Sequence, residues 1–120
     1  MAKSVLDKIE KQVVRTSKEN LNIYRLGNFE KNMYELVEFQ KNQYYPPHSH
    51  KNSRSKLFVI FGEGKIILGN NKHNYKKGDI FHVRKGMPHG FRCRKETLIL
   101  SIQQPPIINQ KTGKVDLEYI

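Results

Sequence analysis

A chain of 120 residues can bury one core but not two. Its formal net charge of +11 comes from 22 lysines and arginines against 11 acidic residues. The single Cys93 excludes an intramolecular disulfide, and no stretch nears the roughly 18–20 apolar residues of a membrane span. No basic-then-apolar signal segment opens the chain, so a cytoplasmic protein with no membrane partner is expected. The basic residues are scattered, and no zinc-finger or RNA-binding signature accompanies them. A nucleic-acid partner is therefore not expected, whereas the positive field favours a small anionic ligand.

The first segment, "SVLDKIEKQVV", reads as a short amphipathic helix. Ser4 is a plausible N-cap, and Leu6, Ile9 and Val13 share one face. Residues 1–20 are thus expected to form a helical extension, 21–107 the folded barrel and 108–120 a C-terminal tail. Helical periodicity ends after the first segment. In its place come short runs rich in β-branched and aromatic residues: "LNIYRL", "NMYELVEF", "KLFVIFG", "GKIIL", "HNYKK", "DIFHV", "GFRCR" and "TLILSIQ". The breaks between them include "KNQYYPP", "GEG", "GNN", "KKGD" and "RKGMP". "GKIILGNNKHNYKKGD" reads as a hairpin whose Gly-Asn-Asn turn supplies residues that tolerate positive φ. Many short strands with Gly and Pro turns indicate an all-β sandwich or barrel. The tail "QQPPIINQKTGKVDLEYI" breaks this rhythm and is expected on the surface or against a second subunit.

Two stretches carry the chemistry. In "YYPPHSHKNSRSKLFVIFG", His48 and His50 are one residue apart, a spacing that puts both imidazoles on one side of an extended chain. In "GDIFHVRKGMPHGF", His89 follows a proline at the start of a strand. Together they resemble the two motifs of the cupin superfamily, small jelly-roll barrels that often hold a metal. Asn42 stands at the leading glycine of the first motif, His48 and His50 match its histidines, and Gly62 matches its closing glycine. Gly78, Gly86 and His89 match the second motif. Ser55 replaces the family glutamate, Arg84 the proline and Cys93 the asparagine, with spacing kept.

The resemblance implies a jelly-roll barrel in which His48, His50 and His89 hold a divalent iron, zinc, nickel or manganese ion. Without the family glutamate, such a centre keeps its full positive charge and favours an anionic substrate. The expected function is isomerase or epimerase chemistry on a carbohydrate-derived or other anionic substrate. A three-histidine iron dioxygenase and a non-catalytic ligand-binding barrel are the alternatives. A homodimer is expected, as is common among small cupins.

Other residues have expected roles as well. Tyr44 and His82 are candidate acid–base groups, and Arg84 could clamp a carboxylate or phosphate. Ser55, Phe91 and Cys93 are expected to face the pocket, over a floor of Leu57, Val59 and Phe61. Glu35 and Glu38 have opposite parity on one strand, so at most one faces inward. Glu38 is the candidate for an extra ligand or base.

Overall fold

The computed structural model of the protein describes residues 11–15, 20–108 and 114–119. Among them every helix or strand element is a strand. In chain order these are β1 (Lys11–Arg15), β2 (Asn20–Phe29), β3 (Asn32–Phe39), β4 (Tyr44–Ser49), β5 (Arg54–Phe61) and β6 (Gly64–Leu68). β7 (Asn71–Tyr75), β8 (Ile80–Val83), β9 (His89–Cys93), β10 (Thr97–Gln104) and β11 (Glu118–Tyr119) follow. The strands form two antiparallel sheets, of six strands in the order β1-β2-β3-β10-β5-β8 and five in the order β11-β4-β9-β6-β7. Strands distant in sequence lie side by side, as in a jelly roll.

Alternating side chains build the core between the sheets. In β10, Thr97, Ile99, Ser101 and Gln103 are buried while Leu98, Leu100 and Ile102 are half-buried. Phe39, Tyr45, Leu57, Val59, Ile66, Val83, Phe91 and Ile99 form one buried cluster. Each large apolar side chain so buried contributes on the order of 2 kcal/mol before entropy is charged against it. The β6–β7 hairpin is present as expected, with Leu68 opposite Asn71 and Gly69 at φ 59°.

Three expectations are corrected. Lys11–Arg15 is a strand paired with β2, where the helix was expected to run through Val14. The adjacent valines are β-branched, and β2 would otherwise leave its backbone groups unpaired along that edge. The rest of the expected helix lies outside the described residues. Next, "YYPP" is not a break but the start of β4. Between Tyr45 and His48 the register slips, with Tyr45 opposite Phe91 and His48 opposite His89. This bulge takes Pro46 and Pro47 out of the ladder, where their missing N–H groups cost nothing. It also brings two backbones close together, because a Cβ on Gly90 would sit 2.6 Å from the Tyr45 carbonyl oxygen. Finally, Phe61 is 39% exposed. A register shift at Leu98/Ile99 places Phe61 opposite Leu98 and Val59 opposite Ile99, which breaks the parity that holds for Leu57 and Val59.

Candidate metal centre

His48 on β4 and His89 on β9 are direct cross-strand partners, and His50 lies just beyond the end of β4. Their ring centroids are 4.1 Å apart for His48–His89, 5.1 Å for His50–His89 and 5.4 Å for His48–His50. One ring nitrogen from each lies within 4.8 Å of the others. All three rings are buried.

The remaining ring nitrogens show how the rings are aimed. His48 Nδ1 donates to the Pro46 carbonyl at 3.1 Å, and His89 Nδ1 to the Met87 carbonyl at 3.1 Å. Each histidine follows a proline, Pro47 or Pro88, and takes the carbonyl two residues back. Proline fixes its own φ and keeps the preceding residue extended, which limits where that carbonyl and the following imidazole can lie. His50 Nδ1 donates to the Asp116 carbonyl at 2.7 Å. A carbonyl only accepts, so in each ring the proton sits on Nδ1 and the lone pair on Nε2.

Burial pushes the His48 imidazole well below its ordinary pKa, and the nearby His89 and His50 add to the shift. Burial likewise brings His89 down to about 4, against the opposing pull of its bond to Met87. Both rings are therefore neutral at neutral pH. Three imidazoles that bring one ring nitrogen each to a common point, held from behind by main-chain carbonyls, are a donor set suited to a divalent transition metal. His50 is also tied to the loop before His89, since its carbonyl accepts from Gly86 N at 2.8 Å.

The trio opens on a cavity of about 290 Å³ between the two sheets. Much of its lining is apolar and comes from Ile23, Val37, Phe39, Leu57, Phe91 and Ile99. Tyr45 stacks on His48, with ring centroids 4.2 Å apart.

Tyr44, the expected tyrosine, is not among the lining residues and packs under the Arg92 guanidinium at 4.5 Å. The bulge is the reason: an extra residue between Tyr45 and His48 moves the ring-bearing face from position 44 to 45. His82 and Arg84 are exposed and border a separate surface groove with Ser55. Ser55 is buried without lining the histidine cavity, and its Oγ has no hydrogen-bond partner among the described residues. Phe91 lines the cavity as expected, whereas Cys93 is 2% exposed in the core behind it.

The inward carboxylate is Glu35, not Glu38. Glu35 is buried and lines the cavity, while Glu38 accepts from Asn22 Nδ2 at 2.9 Å outside it. Parity alone left the choice open, and the face of β3 was decided by its pairing with β10. Arg25, Gln103, Val115 and Leu117 also line the cavity and were not singled out in the sequence. The last two belong to the tail, whose β11 pairs with β4 at Ser49 and His48.

Comparison with known proteins agrees with this architecture. The family description "Cupin domain" matches residues 35–102. No curated protein matches the chain in sequence. Among solved structures, an RmlC-like cupin from Shewanella frigidimarina superposes with a TM-score of 0.72 at 20% identity, covering 82% of this chain and 86% of its own. A predicted oxalate decarboxylase from Thermotoga maritima gives 0.73 at 14% identity, covering 83% and 96%. DMSP lyase DddQ from Ruegeria pomeroyi gives 0.68 at 20% identity, covering 78% and 56%. At these identities the likeness is one of fold.

Proposed function

The chain belongs to the cupin family, and from that premise we propose that it is a metal-dependent enzyme of isomerase or epimerase type. Its substrate would be a small carbohydrate-derived or otherwise anionic molecule. The observation that carries this reading is the buried histidine trio and the buried Glu35 carboxylate on the walls of one cavity. Moving a proton at carbon beside a carbonyl needs an electrophile for the developing oxyanion and a base for the proton.

His48, His50 and His89 would hold the ion through Nε2. A bound divalent ion would supply Lewis-acid polarisation of a substrate oxygen. Glu35 would take and return the proton, with Arg25 Nε 3.5 Å from its second oxygen as its charge partner. The apolar lining would exclude water, and Tyr45 would keep the His48 ring in place through stacking. Folds of this kind carry the names of a lyase and a predicted decarboxylase, which supports small-molecule chemistry in general.

One feature favours a second reading. With Ser55 in place of the family glutamate, the cluster among the described residues offers three histidine ligands, the pattern of the three-histidine iron dioxygenases. The test is metal analysis of protein purified without added metal, followed by two assays on a panel of small keto and hydroxy acids. Solvent deuterium entering the substrate carbon supports the isomerase. Iron together with oxygen uptake supports the dioxygenase. A stoichiometric metal with neither activity leaves a ligand-binding barrel, and no stoichiometric metal defeats both enzymes.

A homodimer in the cytoplasm completes the proposal. Ile60 and Ile80, 40% and 48% exposed on β5 and the edge strand β8, lie beside Phe58 on the outer face and would be covered by a second copy. Light scattering giving about 28 kDa, twice the 14.1 kDa chain, is the expected result.

A further inference from the structure

The cavity has a second polar wall. On the sheet opposite the histidines, Arg25, Glu35 and Ser101 stand side by side across β2, β3 and β10, and Gln103 follows two residues along β10. Gln103 Nε2 donates to Glu35 Oε1 at 2.9 Å and to Ser101 Oγ at 2.9 Å. A carboxylate only accepts, so Glu35 fixes which way the amide faces, and both amide hydrogens are used. Gln103 Oε1 is then an acceptor in a side chain only 4% exposed, on the cavity wall, with no hydrogen-bond partner among the described residues. A buried acceptor of this kind is costly to leave unmet and strongly favours a ligand that brings a donor.

We propose that Gln103 is the ligand-recognising residue on this wall, its Oε1 accepting a hydrogen bond from a hydroxyl group of a small hydroxylated carboxylate. The ligand's charged end lies at the histidines, where a divalent ion held by three uncharged ligands would keep its full charge. Its carbon chain spans the cavity between the two sheets. A hydroxyl is favoured over an ammonium because the Arg25 guanidinium already offsets the Glu35 charge. The assignment of the charged end rests on the metal reading above. The role of Gln103 rests on its own geometry.

The probes are the ω-hydroxy carboxylates from glycolate to 6-hydroxyhexanoate, each compared with the unsubstituted acid of the same length. Calorimetry is run on full-length protein loaded with nickel. At one chain length the hydroxy acid is expected to bind about tenfold tighter than its partner, the scale of one well-made hydrogen bond. Gln103→Leu and Gln103→Asn should both abolish that difference while nickel still binds one per chain. The second variant keeps an amide in case the first does not fold. A preference that survives in a folded variant, or no preference at any length in the parent protein, overturns the proposal. If nickel does not bind, the metal reading fails instead, and the same comparison in metal-free protein decides the role of Gln103.

Discussion

His50 and Asp116, 66 residues apart in the chain, are joined by a 2.7 Å hydrogen bond from imidazole Nδ1 to main-chain carbonyl. The Asp116 carboxylate binds the same loop, accepting from Lys51 N at 2.9 Å and Asn52 N at 2.8 Å. Asp116 N in turn donates to the Ile107 carbonyl at 2.7 Å. A tail outside the cupin motifs thus sets the aim of one of the three imidazoles.

Removing residues 114–120 should therefore weaken metal binding by about 10- to 100-fold, the usual cost of losing a partner behind a ligating histidine. Asp116→Ala keeps the carbonyl and loses only the two loop contacts, so it should cost on the order of 1–2 kcal/mol in stability with a smaller loss of affinity. Competition against a chromogenic chelator, with urea melts alongside, separates the two effects. Equal affinity in the truncated and full chains would count against the contact.

His89→Ala should abolish binding of one metal per chain while leaving the barrel folded. Only two imidazoles then remain to converge. Elemental analysis after dialysis against zinc or nickel reads the stoichiometry, and circular dichroism checks the fold. His82→Ala is the control, since that ring is exposed and outside the cluster, and should bind metal as the parent does.

The metal-free protein should lose stability in mild acid. His48 and His89 are held below the ordinary histidine value by burial, so the unfolded chain takes up their protons first as the pH falls. Their contribution is fully present above pH 6.5 and is lost as the pH drops towards about 4. For His89 alone it is on the order of 3 kcal/mol. Thermal melts between pH 7.5 and 4.5 should show the decline, and it should be smaller in His89→Ala. A flat profile would contradict the burial argument.

Glu35→Ala should destabilise the protein by roughly 1–3 kcal/mol, because it takes a hydrogen-bond partner from the buried Gln103 amide and leaves a gap beside it. Glu35→Gln, close in shape, should cost less. It should also remove deuterium exchange if the carboxylate is the base. Denaturant midpoints and the exchange assay are read on the same preparations.

Cys93, 2% exposed, should resist a thiol reagent in the native state and react once urea unfolds the chain. Rapid labelling of folded protein would mean that the core behind Phe91 opens more readily than its packing implies.

Much of this protein is decided locally, and those features were legible in the sequence. The strand character of "NMYELVEF" and "TLILSIQ", the Gly-Asn turn after "GKIIL", and the His-x-His and Pro-His pairs each depend on a few neighbouring residues, whose conformational preferences suffice. Other features depend on pairing between distant segments. A single bulge opposite Gly90 moved the cavity tyrosine from 44 to 45, and another turned Phe61 outward. Pairing with β10 chose Glu35 over Glu38, and an open edge of β2 drew Lys11–Arg15 into a strand. The carbonyl behind His50 comes from a segment that carries no motif at all. Strand parity is a property of one chain segment, but register is a property of two. Only the folded sheets, where backbone groups must find partners across long separations, could assign it.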